Sequence, residues 1–143
     1  MDTNWDPREE WSSTLPELFP LTDIFMPNEQ EAMLISRCGS VEAALEWYRQ
    51  AGVPLVVLKR GDKGASVSSE EGTLHMPVQP VTGGDSVGTG DSFDAGFLAG
   101  WLRDLPLSQC LEIGCRCGRA VAGATGGLKG QPVSVRGRTT INN

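Results

Sequence analysis

Asp85-Ser86-Val87-Gly88-Thr89-Gly90-Asp91-Ser92-Phe93-Asp94-Ala95-Gly96-Phe97 is a glycine-rich turn that runs straight into an apolar helical repeat. Beyond the turn, Phe93, Phe97 and Trp101 recur every fourth residue beside Leu98 and Leu102, which predicts an amphipathic helix over 86–103. A helix N-terminus presents unpaired N–H groups and about half a positive charge, and glycines let an anion approach them closely. An acid at that end repels a bound phosphate unless a cation or a proton transfer uses it, so Asp91 is a candidate base toward a substrate hydroxyl. Spacing alone leaves a plainer reading open, in which Gly88 and Gly90 make a tight turn and Asp91 caps its own helix. The stretch is neither a Gly-Lys-Ser/Thr phosphate loop nor a three-glycine dinucleotide fingerprint.

Upstream, Asp23-Ile24-Phe25-Met26-Pro27 is a short apolar run stopped by proline, as expected of a buried strand. Asn28 with Glu29 and Glu31 signals a helix start, and Ser40 starts a second helix whose Val41, Ala44, Leu45 and Tyr48 share one face before Gly52 stops it. Residues 54–58 then read as a buried strand. This strand, helix, strand order predicts an α/β layer with a mostly parallel sheet. Gly61-Asp62-Lys63-Gly64 is a turn, and 65–68 and 73–81, the latter broken by prolines, are expected as antiparallel strands at a sheet edge. A short helix is expected over 9–19. Another, over 108–124, is rich in Gly, Ala and Cys, which permits close approach of a backbone or a flat ligand; Gly126-Gly127 would end it, with a frayed polar tail beyond.

The 143 residues suit one domain, and 39% hydrophobic with 21% charged residues lies outside the disordered class. A net charge of -6 without a basic stripe argues against a nucleic-acid partner. Cys38, Cys110, Cys115 and Cys117 form no Cys-x-x-Cys pair and lie far in sequence from His75, the one histidine, so structural zinc is not expected. With neither a signal segment nor an apolar run of membrane-spanning length, the expectation is a reduced, cytoplasmic protein without a membrane partner.

The run 85–97 resembles the C-terminal signature of the ribokinase-like, or PfkB, carbohydrate kinases, Asp-Thr-x-Gly-Ala-Gly-Asp-x-Phe, with Ser86 and Thr89 as departures. Pro27-Asn28-Glu29-Gln30-Glu31-Ala32 resembles the family's Asn-x-x-Glu element, and Lys59-Arg60-Gly61-Asp62-Lys63-Gly64-Ala65 its nucleotide-side strand and glycine turn. The resemblance implies phosphoryl transfer from ATP to a hydroxyl of a sugar or sugar-like substrate, with Asp91 as base and the backbone of Gly88, Thr89 and Gly90 as anion hole. It implies magnesium held by Asn28 and Glu31, largely through water, and a monovalent cation at Asp85 and Ser86 as in some relatives. It places Gly61 and Gly64 along the nucleotide, leaves Lys59, which stands where many relatives carry a small hydroxyl residue, to reach phosphate or solvent, and puts Cys115 where the family often has an adenine-side Asn. A thiol does not reproduce an amide's donor and acceptor, and Arg116 and Arg119 stand in a segment normally built of alanines.

What the resemblance implies for the fold is a partial three-layer α/β/α sandwich, with residues 1–143 as a single partial domain matching the C-terminal, nucleotide-binding and catalytic half of a PfkB kinase. The family's sugar-recognition elements and β-lid have no counterpart in it. A half-sheet exposes an edge strand, which invites self-association as a homodimer or requires a partner chain to cover it. The competing expectation is a noncatalytic nucleotide- or anion-binding fragment that acts through another chain. The acceptor, sugar or nucleoside, stays open.

Overall fold

A computed structural model describes residues 1–3, 6–8, 10, 11, 14–79 and 87–123, and the backbone of 133–135 and 138–140. These residues fall into two compact units, one comprising 1–61 and 65–75, the other 62–64 and 76–143.

In the first unit, helices α1 (Leu15–Leu18), α2 (Glu29–Ser36) and α3 (Val41–Gln50) accompany strands β1 (Val56–Lys59), β2 (Ala65–Ser69) and β3 (Gly72–Met76, whose last residue belongs to the second unit). Helix α1 is much shorter than the expected 9–19. The Asp6 carboxylate accepts the N–H groups of Arg8, Glu10 and Trp11, and Trp11 takes a left-handed φ of 33°, which holds the chain in a turn short of the helix. Helix α3 starts as its sequence indicates, with Ser40 Oγ accepting the Ala43 N–H at 3.2 Å, and the chain leaves it through Gly52 at a φ of 89°. Its buried Val41, Ala44 and Tyr48 meet Phe19, Phe25, Val56 and Leu58 in one cluster. Tyr48 lies edge-on to Phe19 at 5.4 Å, and its hydroxyl donates to the Ala32 carbonyl at 2.9 Å, which satisfies the polar end of a fully buried ring.

The expectation of a mostly parallel sheet needs correction. The described sheet has the order β1-β2-β3, and β1 pairs with β2 antiparallel, Val56 opposite Ser68 and Lys59 opposite Ala65. Among the described residues, parallel pairing is confined to two bridges, Phe25 with Val56 and Asn28 with Lys59. The Phe25 N–H donates to Leu55, and the Val57 and Lys59 N–H groups donate to the Phe25 and Pro27 carbonyls. The next rung of a parallel ladder would need an N–H at position 27. Proline has none, so 24–28 is a buried but interrupted partner of β1. The turn at 61–64 then sends the chain back antiparallel. Gly61 and Gly64 take φ values of 60° and 95°, and a Cβ on Gly64 would lie 2.0 Å from the Met76 carbonyl oxygen, so that position requires glycine.

The second unit is dominated by α4 (Thr89–Trp101) and α5 (Leu107–Ala122). The small residues of α5 serve the approach of the α4 backbone. A Cβ on Gly96 would lie 2.8 Å from Cys117 Sγ, one on Gly100 3.2 Å from Cys110 Sγ, and one on Gly114 2.9 Å from the Phe93 ring. The apolar face of α4 is therefore narrower than the four-residue repeat implies. Phe93 and Phe97 are buried and stacked at 6.4 Å, whereas Trp101 is half-buried and Leu102 is 73% exposed. The tail is not wholly frayed coil, since β4 (Val133–Val135) and β5 (Arg138–Thr140) pair antiparallel, in keeping with their β-branched residues. Gly126-Gly127 lie outside the described residues. Among those described, no helix is long and apolar enough to cross a membrane.

Candidate functional site

The first turn of α4 carries the candidate catalytic residues. Gly88 is its N-cap in the left-handed conformation, φ 75° and ψ 0°, and provides no side-chain cap. A residue with a Cβ adopts that conformation at a cost, and a Ser, Asp or Asn there would place its own oxygen on the first-turn N–H groups. Glycine avoids both effects. Thr89, Gly90 and Asp91 follow as the first three helical residues, with Asp91 exposed and Ser92 buried. The α5 helix passes close behind this turn, since a Cβ on Gly118 would lie 3.3 Å from the Thr89 carbonyl oxygen. The arrangement presents N–H donors and a carboxylate together at the positive end of a helix. Asp94, one turn on, is half-buried.

The second group lies in the other unit, where the interrupted strand 24–28 passes into α2. Asn28 and Glu31 form a reciprocal capping box: Asn28 Oδ1 accepts the Glu31 N–H at 2.8 Å, and Glu31 Oε2 accepts the Asn28 N–H at 2.9 Å. Glu31 is buried at 5% exposure, not the solvated first-turn acid that the segment alone suggests. The Asn-x-x-Glu spacing before an apolar run is itself a capping-box signal, so this role was available in the sequence. Lys59 is bridged to Asn28 through the backbone, and its ammonium pairs with Asp2 at 2.9 Å. Beside it Arg60 pairs with Glu29 at 3.1 Å. Neither pair has a local sequence signal, because the partners lie tens of residues apart.

The oxygen set at Asn28 and Glu31 suits one kind of metal contact. Each side chain has one oxygen engaged by a backbone N–H, and among the described residues no three His, Cys, Asp or Glu side chains converge. Hydrogen bonding to the water shell of a hard cation fits this pair better than direct ligation, and magnesium keeps several of its waters. Gly61, in the first unit, has open space where a Cβ would stand. Gly64 is held against Met76 in the second unit. Cys115 is buried in α5, and desolvation pushes its thiol up to about 11, with Arg119 pulling the other way, so it is a neutral thiol near pH 7. Asp85 and Ser86 lie outside the described residues. All four cysteines are free thiols.

The family model described as pfkB family carbohydrate kinase matches residues 1–133. The chain belongs to this family. Among curated PfkB relatives, a cytidine kinase from Thermococcus kodakarensis is 36% identical over 111 residues, covering 75% of this chain and 39% of the relative. A 2-dehydro-3-deoxygluconokinase from Haemophilus influenzae is 32% identical over 124 residues, covering 83% and 38%. Among solved structures, an Escherichia coli protein described as a ribokinase II, in complex with ATP and Mg2+, matches with a TM-score of 0.81 at 30% identity, over 89% of this chain and 42% of that one. The aminoimidazole riboside kinase of Salmonella enterica, complexed with its riboside and an ATP analogue, matches with a TM-score of 0.75 at 26% identity, over 87% and 46%. The chain therefore has a ribokinase-like α/β fold and spans about two fifths of the length of the curated relatives it matches.

Proposed function

We propose that this chain is the C-terminal, nucleotide-binding and catalytic part of an ATP-dependent PfkB kinase that phosphorylates a hydroxyl of a sugar or sugar-like substrate. The observation that carries this reading is the start of α4, where an uncapped left-handed glycine is followed by three first-turn residues, the last of them the exposed Asp91. Asp91 takes the proton of the attacking hydroxyl, and the N–H groups of Gly88, Thr89 and Gly90 face the charge that builds on the transferred phosphoryl group. Family membership and the neighbours solved with ATP or an ATP analogue support ATP-dependent phosphoryl transfer.

On the same reading Asn28 and Glu31 hydrogen-bond magnesium-bound water, and magnesium supplies charge neutralisation of the phosphates. Lys59, Gly61 and Gly64 lie along the nucleotide, Cys115 faces the base as a neutral thiol, and Asp85 and Ser86 hold a monovalent cation. The acceptor is a sugar or a nucleoside; the named relatives include both a cytidine kinase and a 2-dehydro-3-deoxygluconokinase. The test is ADP release by the purified chain with magnesium, ATP and a panel of sugars and nucleosides, with Asp91→Asn alongside. Acceptor-dependent turnover abolished by Asp91→Asn supports the proposal. Turnover that survives the substitution removes Asp91 from the mechanism.

A further inference from the structure

We propose that Arg60, acting through Glu29, is a positioning residue that fixes the Asn28–Glu31 box against the end of β1 and so sets how the chain engages magnesium-bound nucleotide. This rests on the reading that the box addresses magnesium through water. The entrance to α2 is tethered to β1 on both sides of the box. On the strand side, the Lys59 N–H donates to the Pro27 carbonyl at 2.9 Å. On the helix side, Arg60 Nη2 donates to Glu29 Oε1 at 3.1 Å, across 31 residues of sequence. Glu29 is the first residue of α2 and lies between Asn28 and Glu31, so the guanidinium grips the turn that the box closes.

The pair is placed to hold geometry. Both side chains are largely buried, at 23% and 22% exposure, which lessens solvent screening relative to a surface ion pair. Among the described residues Arg60 Nε is buried without a hydrogen-bond partner, while Nη2 of the same guanidinium holds Glu29. Asn28 and Glu31 bond to each other's backbone, which fixes the box internally but not its orientation toward β1. Outer partners of metal-binding groups act in this way, by orienting groups they do not replace.

The experiment measures binding of a nonhydrolysable ATP analogue by calorimetry, with magnesium and with chelator, together with amide exchange at Glu31 and Ala32. It compares the parent chain, Arg60→Gln, Glu29→Gln and the charge-reversed double variant Arg60→Glu with Glu29→Arg, each checked for a cooperative melt. Each single variant is expected to speed exchange in the first turn of α2. Each should also cut the magnesium-dependent gain in affinity by about tenfold, the lower end for outer-shell partners, while leaving magnesium-free binding within about twofold; the reversed pair should recover most of the loss. An unchanged magnesium gain in the single variants overturns the proposal, as does equal loss with and without magnesium, or a reversed pair no better than the singles. A parent chain whose analogue binding ignores magnesium sinks the reading of Asn28 and Glu31 itself, and the positioning role with it.

Discussion

Replacing Gly96 with Ala should destabilise the fold even though alanine is the better helix former. In a helix interior the exchange gains about 0.8–1 kcal/mol from backbone propensity. Here the new Cβ would stand 2.8 Å from Cys117 Sγ, 3.0 Å from Cys117 Cβ and 3.0 Å from the Ile113 carbonyl oxygen. Two of these three neighbours belong to the rigid framework of α5, so the helices must separate, and such overpacking costs about 1–3 kcal/mol. The net expectation is a loss of up to about 2 kcal/mol. For a chain of this size that lowers the melting temperature by up to about 8 °C. Gly118→Ala provides the contrast, because its tightest contact is the Thr89 carbonyl oxygen at 3.3 Å and its others are at 3.5 Å. Propensity should roughly balance the strain there, leaving stability within about 0.5 kcal/mol of the parent. Thermal and urea melts followed by circular dichroism would measure both. If Gly96→Ala raises stability as much as or more than Gly118→Ala, propensity governs both sites, and the close α4–α5 contact argued from the cysteines and glycines is wrong.

Asp91→Asn should lower any kinase turnover by roughly a hundredfold to ten-thousandfold, the usual contribution of a general base, with nucleotide binding by calorimetry little changed. Gly64→Ala should destabilise by more than about 2 kcal/mol, since a Cβ 2.0 Å from the Met76 oxygen adds a backbone clash to the strain of a φ of 95°; a chemical melt like the parent's would contradict the turn geometry. Removing the capping box with Asn28→Ala should cost about 1 kcal/mol in the same assay. Burial raises the Cys115 thiol from 9.0 to about 11 in the folded chain. The folded state therefore holds its proton to higher pH than the unfolded one, so stability is full below about pH 9 and falls as pH rises toward 11. Melts across that window should decline less in Cys115→Ala than in the parent.

Signals carried by neighbouring residues were legible in the sequence. Ser40 and Gly52 bracket α3, the glycine turn gives the hairpin from β1 to β2, and the glycine-rich turn before Phe93 marks the start of α4 at Gly88. Features set by distant partners were not. The four-residue recurrence of Phe93, Phe97 and Trp101 overstated the buried face of α4, because the partner helix packs on glycines and reaches only part of that stripe. The runs 23–27 and 54–58 were each expected as buried strands, but the consequence of Pro27 for the ladder appears only once their register is known. Glu31 illustrates a third case. Its first-turn position reads as a solvated acid, whereas its burial follows from reciprocity with Asn28 and from the packing of α2 on the Tyr48 cluster.

The departures from the family signature bear on which part of the chemistry this chain keeps. Thr89 stands where the signature has alanine, and its extra methyl and hydroxyl find room where Gly118 faces them on α5; the Thr89 methyl would be 3.5 Å from a Cβ at 118. Thr89 and Gly118 thus form a compensating pair across the two helices, large on one side and absent on the other. A Cβ at 118 is in ordinary contact with that methyl and 3.3 Å from the Thr89 carbonyl oxygen, so alanine is accommodated and only a larger side chain crowds the pair. A bulky Gly118→Val should therefore push Thr89 and the first turn of α4 outward, and Thr89→Ala in the same chain should relieve it. Coupling between the two substitutions, measured as a double-mutant cycle on stability and on anion binding, should be about 1 kcal/mol or more. Additive effects would mean that the first turn of α4 is set by the Gly88 conformation alone, and that Thr89 is a neutral departure with no bearing on where the N–H groups point.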